Sequence, residues 1–177
     1  MGHLMGVAPR DTLLTSSEVV TVLRVPRDGN SLFAALAHQL KLNPIGSAEH
    51  IEDTETLRTA VWLELVRNFS DYTELVHRSV QLYQGHYLDF PSTEEKVDAY
   101  LRDLDTPGFP GGAEVIQATA NLAGVDVVLY QERGDAYLVE SSADEADRAI
   151  AIVQRVLLGV DGRPHIFYDS VIGVQQI

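Results

Sequence analysis

The sequence predicts an α+β fold in which helices precede strands along the chain. Apolar residues recur at helical spacing through most of residues 31–122, whereas short β-branched runs follow from Val125 onward. Because the two kinds of element are grouped rather than alternating, an α+β arrangement is favoured over α/β. We expect helices of the N-terminal two thirds to pack on a small, mostly antiparallel sheet formed largely by the C-terminal third.

The chain begins with a predicted strand, turn and helix. Val19–Val25 is short and β-branched, as strands are. Residues 26–30 combine proline with Asp-Gly-Asn, which favours a tight bend. Ser31–Leu40 follows at once with apolar residues at helical spacing, and Asn43–Gly46 breaks that helix.

The middle of the chain predicts further helices. One begins at Thr54, one spans Ser70–Leu82, and one follows the capping-box pattern of residues 92–95. Pro and Gly make residues 107–112 a loop, and the last helix, Glu114–Leu122, ends before Gly124. The predicted strands are Val125–Tyr130, Ala136–Val139, Ala149–Leu158 and His165–Ile172, with a hairpin turn at 133–135 and a turn at 159–164.

The composition indicates one acidic domain. A length of 177 residues fits a single domain, which we place at 7–177, and residues 1–6 are interpreted as a cloning remnant. The net charge of −13 disfavours nucleic acid as a partner. It favours a partner with a basic face, or it simply keeps the domain soluble.

Several other classes are disfavoured. No apolar run reaches the roughly 18 residues that a membrane span needs, and the N-terminus does not resemble a signal peptide. The absence of cysteine excludes disulfides and thiolate metal sites. The histidines share no ligand spacing, so neither a metal nor another cofactor is expected. We expect an intracellular, cytoplasmic monomer.

The turn and helix around Ser31 have the layout of a nucleophile site. Residue 31 falls in the first turn of a helix, where free N–H groups and the helix dipole favour negative charge. Gly29 permits close backbone approach, and the N–H groups of Gly29 and Asn30 are candidates to bind an oxyanion. The alternative is that Asp28 or Asn30 merely caps a buried helix.

Four blocks of sequence resemble the ovarian tumour (OTU) family of cysteine proteases. Residues 28–33, Asp-Gly-Asn-Ser-Leu-Phe, resemble the family motif Asp-Gly-Asn-Cys-Leu-Phe, with serine for cysteine, and Leu57-Arg58 is similar to the start of the family's second helix. Residues 111–122 resemble the Trp-Gly-Gly-x-x-Glu loop and its helix. Residues 168–171 resemble the end of the closing His-Tyr-Asp/Asn-Ser-Val motif. The blocks keep the family's order over residues 19–172.

The resemblance implies a papain-like OTU domain that hydrolyses bonds after the C-terminus of ubiquitin or a ubiquitin-like protein. It assigns the nucleophile position to Ser31 and the oxyanion site to Asp28–Ser31. Asp169 matches the acid that orients the catalytic histidine. Gly111, Gly112 and Glu114 match the loop that lines the channel for ubiquitin's Gly-Gly tail.

Two departures from the family pattern bear on activity. A serine hydroxyl needs an aligned general base, so we expect Ser31 to leave the enzyme inactive. The substitution was either made to trap an inactive state or belongs to a natural pseudoenzyme. At the histidine position stands Phe167, and the nearest histidine, His165, is the candidate base. His165 and Asp169 lie about 13 Å apart in a regular strand, so a bulge would be needed to join them.

Three functions are compatible with these features. The first is an OTU deubiquitinase that is inactive through Ser31. The second is a non-catalytic OTU-like module that binds ubiquitin or another protein. An ordinary serine hydrolase is disfavoured because the chain has no Gly-x-Ser-x-Gly elbow.

Overall fold

The computed structural model describes residues 10–43, 51, 53–143, 146 and 148–177. Within these residues the chain forms five α-helices and one six-stranded sheet. The helices are α1 (Ser31–Leu42), α2 (Thr54–Arg67), α3 (Phe69–Leu82), α4 (Thr93–Leu104) and α5 (Ala113–Ala123). The strands are β1 (Arg10–Leu14), β2 (Glu18–Leu23), β3 (Asp126–Gln131), β4 (Tyr137–Val139), β5 (Ala149–Leu158) and β6 (Pro164–Gln176). The expected α+β fold is therefore confirmed; residues 1–6 and 44–46 lie outside the described residues.

Local signals fix several boundaries as expected. The Ser92 hydroxyl accepts from the Glu95 N–H at 3.1 Å and begins α4. Gly124 ends α5 with a φ of 66°, a left-handed conformation that suits glycine. Helix α2 begins at Thr54 as predicted, and Asp53 is its N-cap. Strand β1 was not predicted, because its sequence does not alternate between apolar and polar residues.

The sheet has the order β1-β2-β6-β5-β3-β4. All neighbouring strands are antiparallel except β3 and β5, which pair in parallel. The main core lies between the helices and one face of this sheet, and a smaller cluster lies on the other face. Strand β6, in the interior of the sheet, carries the closing motif that resembles the OTU family.

The sheet curls around the smaller cluster. The Tyr130 hydroxyl on β3 donates to Glu18 on β2 at 2.8 Å, and Arg155 on β5 reaches Asp11 on β1 at 3.2 Å. Each pair is separated by two intervening strands in the sheet order, so a flat sheet would hold them about 14 Å apart. Burial and the Glu18 contact raise the pKa of Tyr130 to about 12.

Polar side chains of α1 attach this helix to the sheet. Gln39 donates to the Ser170 hydroxyl and accepts from the Ala151 N–H, at 2.8 and 2.9 Å. The Ser170 oxygen also lies 2.7 Å from Nδ1 of His38. The Ser170 hydroxyl can accept from Gln39 and at the same time donate its own proton to Nδ1 of His38, if the imidazole is neutral.

We expect acidification to weaken this attachment. Burial, aided by Lys41, lowers the pKa of His38. The unfolded chain therefore takes up this proton first as pH falls, and stability is lost through the range below about pH 6.5. Urea unfolding between pH 7 and pH 5 should show a steeper loss for the parent protein than for His38→Asn, which keeps an acceptor but does not titrate. Equal slopes would contradict the assignment.

Candidate active site

Ser31 is the first residue of α1, and it faces the last strand. Its side chain is 4% exposed, and its oxygen accepts a hydrogen bond from the backbone N–H of Tyr168 at 3.1 Å. Strand β2 pairs with β6 only from Ser170 onward, so Ser31 lies beside β6 where β2 has ended. The structure thus brings the predicted nucleophile position to the closing motif.

Two hydrogen bonds to Asp28 stabilise the turn before Ser31. The Asp28 carboxylate accepts from the Asn30 N–H at 2.8 Å, and the Asp28 carbonyl accepts from the Ser31 N–H at 3.3 Å. The predicted oxyanion donor of Asn30 is therefore already bound by a carboxylate. Asn30 is the N-cap of α1, but its side chain makes no cap hydrogen bond.

The Asn30 side chain instead connects the turn to two other elements. Its oxygen accepts from the Gly108 N–H and from the Arg58 guanidinium, both at 2.8 Å. Arg58 is buried, also donates to the Leu104 carbonyl at 2.8 Å, and lies 4.0 Å from the Phe33 ring centroid. Because these contacts cross between α1, α2 and the loop after α4, they fix where Ser31 stands.

Asp169 is fully buried and bound by two arginines. Its carboxylate accepts from both terminal nitrogens of Arg27, at 2.5 and 2.7 Å, and from Nε of Arg155 at 3.3 Å. The Val25 N–H donates to it at 3.0 Å. The hydrogen bond with Asp169 raises the pKa of Arg27. The carboxylate that the resemblance assigns to a histidine is thus neutralised by guanidinium groups.

Among the described contacts, His165 pairs with neither Ser31 nor Asp169. Its half-exposed ring lies 3.6 Å from the Asp161 carboxylate in the β5–β6 turn, and none of the described hydrogen bonds joins it to either site residue. The β5–β6 register is regular through this region, so the bulge needed to move His165 toward Asp169 is missing. The ring fits the alternative of an exposed histidine, at the start of β6 beside the turn, and its role as a base stays a prediction.

Phe167 stands where the resemblance places the histidine. The Arg27 guanidinium lies 5.7 Å from the centroid of its ring. Arg27 therefore contacts both Phe167 and Asp169, the two positions that in the family pattern would pair with each other. A phenyl ring cannot accept a proton, so this position supplies no general base.

A buried carboxyl group, that of Glu114, stabilises the junction between the Gly111-Gly112 loop and the first turn of α5. Glu114 has no exposed surface and accepts hydrogen bonds from the hydroxyls of Ser79 and Tyr100. Burial raises its pKa. Glu114 thus supports the loop from within instead of lining a channel. A Cβ on Gly112 would lie 2.3 Å from the Ser79 oxygen, so a side chain there would displace the hydroxyl that Glu114 binds.

A groove connects these residues. One cavity of about 210 Å³ is lined in part by Ser31, Gly111, Gly112 and Tyr168. A second cavity of about 770 Å³ is lined in part by Asp28, Gly29 and residues 163–167. Both are lined by Leu82, Tyr83, Pro110 and Ile166, which makes them two parts of one depression. The Tyr83 hydroxyl donates to the Gly111 carbonyl at 2.8 Å and joins α3 to the loop.

Sequence reasoning missed the arginines that organise this site. Arg27 lies directly before the turn, and Arg155 lies in the middle of a predicted strand, but neither position carries a motif. A charged residue at an inward-facing strand position is the only signal that could have suggested Arg155 as a partner of a buried acid.

Comparisons with known proteins agree on the fold. No family model matches the sequence, and no curated protein matches it significantly. Among solved structures, the OTU domain of OTUD1 matches with a TM-score of 0.54 and 14% identity over 86% of this chain and 85% of that one. The viral OTU domain protease from Farallon virus matches with a TM-score of 0.52 and 18% identity over 96% and 98%.

A third solved structure is an OTU domain in complex with ubiquitin. It matches with a TM-score of 0.54 and 19% identity over 87% of this chain and 70% of that one. None of the described helices has the length and apolar character of a membrane span. The helices, the curled sheet and the position of Ser31 against β6 together show that this chain has the OTU-domain fold.

Proposed function

We propose that this domain binds the C-terminal tail of ubiquitin or a ubiquitin-like protein and does not hydrolyse the bond that follows it. One observation carries the proposal: Asp169 is bound by Arg27 and Arg155 while Phe167 occupies the base position. The groove beside Ser31 is kept, but the groups that would activate a nucleophile are replaced.

The chemistry at Ser31 supports the absence of turnover. A serine hydroxyl attacks a carbonyl only when a base removes its proton. The described contact of the Ser31 oxygen is with an N–H donor, which withdraws electron density and cannot accept a proton. The Asp28 carboxylate at the Asn30 N–H would in addition oppose an oxyanion at that position.

The retained groove and the surface charge support binding. A glycine pair and Ser31 line one part of the groove, which suits an extended chain of small residues passing close to the backbone. The net charge of −13 favours a partner with a basic surface. One of the similar structures is an OTU domain in complex with ubiquitin.

Three forms of the protein should bind ubiquitin without cleaving a ubiquitin conjugate. We expect fluorescently labelled ubiquitin to bind the parent protein, Ser31→Ala and Ser31→Cys alike, measured by anisotropy. None of the three should release the fluorophore from a C-terminal ubiquitin–fluorophore conjugate, because the base is missing. The double variant Ser31→Cys/Phe167→His tests whether restoring both groups is sufficient for turnover.

Two outcomes would contradict the proposal. Rapid cleavage by Ser31→Cys alone would support instead a deubiquitinase that is inactive only through Ser31. The absence of ubiquitin binding by every variant would exclude the tail as the ligand. A ubiquitin lacking its last two glycines is the matched control, since it should bind much more weakly if the tail enters the groove.

A further inference from the structure

Glu114 is a fully buried carboxyl group without a cationic partner among the described ion pairs. Its hydrogen-bond donors are the uncharged hydroxyls of Ser79 on α3 and Tyr100 on α4, and the backbone of Gly112 also stabilises its charged form. A carboxylate that is removed from water without a counter-ion is costly, so such a site favours the neutral acid. Burial is the largest influence on Glu114, and it raises the pKa.

The helices and the strand packed around Glu114 do not supply the missing cation. Arg78, next to Ser79 on α3, is bound to Glu74 on the exposed face of that helix. Arg58 on α2 donates instead to the Leu104 carbonyl and to Asn30. The titratable residues described around the carboxyl group are tyrosines whose pKa is raised by burial, with Glu114 adding to the shift: Tyr83 on α3, Tyr100 on α4 and Tyr168 on β6.

The carboxyl group of Glu114 lies directly behind one wall of the groove. Gly111, Gly112 and Ser79 line the cavity of about 210 Å³. A Cβ on Gly112 would lie 3.1 Å from a Glu114 oxygen and 2.3 Å from the Ser79 oxygen, so the wall and the carboxyl group are in near contact. Because Gly112 and Ser79 contact Glu114 on one side and the cavity on the other, water reaches a charged Glu114 from the cavity only if these two residues move.

We propose that Glu114 is a proton-dependent switch: its neutral form supports the groove wall at Gly111 and Gly112, and its ionised form loosens that wall. The effect on ligands rests on the proposed function, because a bound tail is what would sense the wall. The step is the transfer of one proton between Glu114 and solvent. By linkage, a ligand that requires the supported wall binds more weakly once this proton is lost, and its binding makes Glu114 retain the proton.

The proton and the wall can be followed without a ligand. In ¹³C- and ¹⁵N-labelled protein, we expect the side-chain carboxyl carbon of Glu114 to titrate above the ordinary value of about 4.3, and the amide signals of Gly111 and Gly112 to shift with the same midpoint. These glycine shifts should be absent in Glu114→Gln, which keeps the shape of the side chain but does not ionise. Titration of Glu114 at or below the ordinary value, or glycine signals that do not follow it, would overturn the inference.

The stability of the protein gives a second measurement with a defined sign. Because the folded-state pKa of Glu114 is raised, the stability that this group contributes is fully present below about pH 4.3 and is lost as pH rises through the folded value. Urea unfolding from about pH 5 to about pH 8 should therefore show the parent protein losing stability relative to Glu114→Gln. His38 acts in the opposite direction, and it is present in both proteins, so the difference between them isolates Glu114. A difference that does not change with pH would contradict the switch.

Ubiquitin binding tests the connection to the groove. The affinity of the parent protein should fall by up to about tenfold as pH rises, the factor that corresponds to a pKa difference of about one unit between the free and bound forms, and Glu114→Gln should lack this fall. Glu94→Gln is the matched control, because Glu94 is an exposed glutamate in the first turn of α4, as Glu114 is a buried one in the first turn of α5. This control should follow the parent.

The outcomes separate this inference from the proposed function. Parallel pH profiles of binding for the parent and Glu114→Gln would overturn the switch while leaving tail binding in place. Failure of the parent to bind ubiquitin at any pH would overturn the proposed function, and the titration of Glu114 with its glycine neighbours would still decide whether the switch exists.

Discussion

Replacing Asp169 with alanine is expected to lower the free energy of unfolding by about 3–5 kcal/mol, the usual cost of leaving a buried charge without its partner. The carboxylate is fully buried, whereas Arg27 and Arg155 retain only small exposed fractions of 22% and 11%. Without Asp169 the two guanidinium groups would face each other in a poorly hydrated space. Urea unfolding at neutral pH measures the change.

The exposed ion pair of Glu74 and Arg78 is the matched control. Its side chains are 79% and 68% exposed, and they are four residues apart on α3. Arg78→Ala should therefore change stability by no more than about 0.5 kcal/mol. If Asp169→Ala were as mild as this control, Asp169 would not be the structural centre of the site, and a role in orienting a base would regain support.

The second large effect is expected for Gly29→Ala. A Cβ at this position would lie 1.5 Å from the Gly108 carbonyl oxygen, a contact with backbone that no side-chain rotation can relieve. The turn and the loop after α4 would have to separate, which we expect to cost about 3 kcal/mol or more, at the upper end of overpacking effects. The separation would also strain the hydrogen bonds of Asn30 to Gly108 and Arg58.

Gly85→Ala provides the comparison for Gly29→Ala. A Cβ at Gly85 meets nothing within 4 Å, so this variant should be as stable as the parent protein. Thermal and urea unfolding of the two variants compare their stability, and ubiquitin binding reports whether the groove survives. A Gly29→Ala variant with parent-like stability and binding would show that the turn and loop can move apart freely.

The contacts of Asp169 have a simple physical explanation. In the family pattern a carboxylate partners a histidine, but Phe167 here cannot bind Asp169. A buried carboxylate without a partner is costly, and Arg27 provides one while its guanidinium lies against the Phe167 ring. Restoring histidine at residue 167 would therefore place it beside two arginines that already bind the acid.

The contacts of the loop give a second argument for the proposed lack of turnover. The Asp28 carboxylate lies at the Asn30 N–H, and Asn30 itself is held by Arg58 and Gly108. These contacts keep the turn in one conformation and leave little freedom to present donors to a reacting oxygen. The variant carrying both Ser31→Cys and Phe167→His tests whether this conformation alone prevents turnover.

The amino-acid sequence by itself determined the fold class, the order of most elements and the place of Ser31 at a turn-to-helix junction. These features depend on local patterns: apolar spacing, the caps at Ser92 and Gly124, and the Asp-Gly-Asn turn. The resemblance to the OTU family also rested on such short blocks.

Only the tertiary structure decided which side chains meet. Arg27 and Arg155 lie 142 and 14 residues from Asp169 along the chain, and the curl of the sheet and the β5–β6 register bring them together. Register also placed His165 at the start of β6, 3.6 Å from the Asp161 carboxylate. Such contacts depend on distances between residues far apart in sequence, which no local pattern encodes.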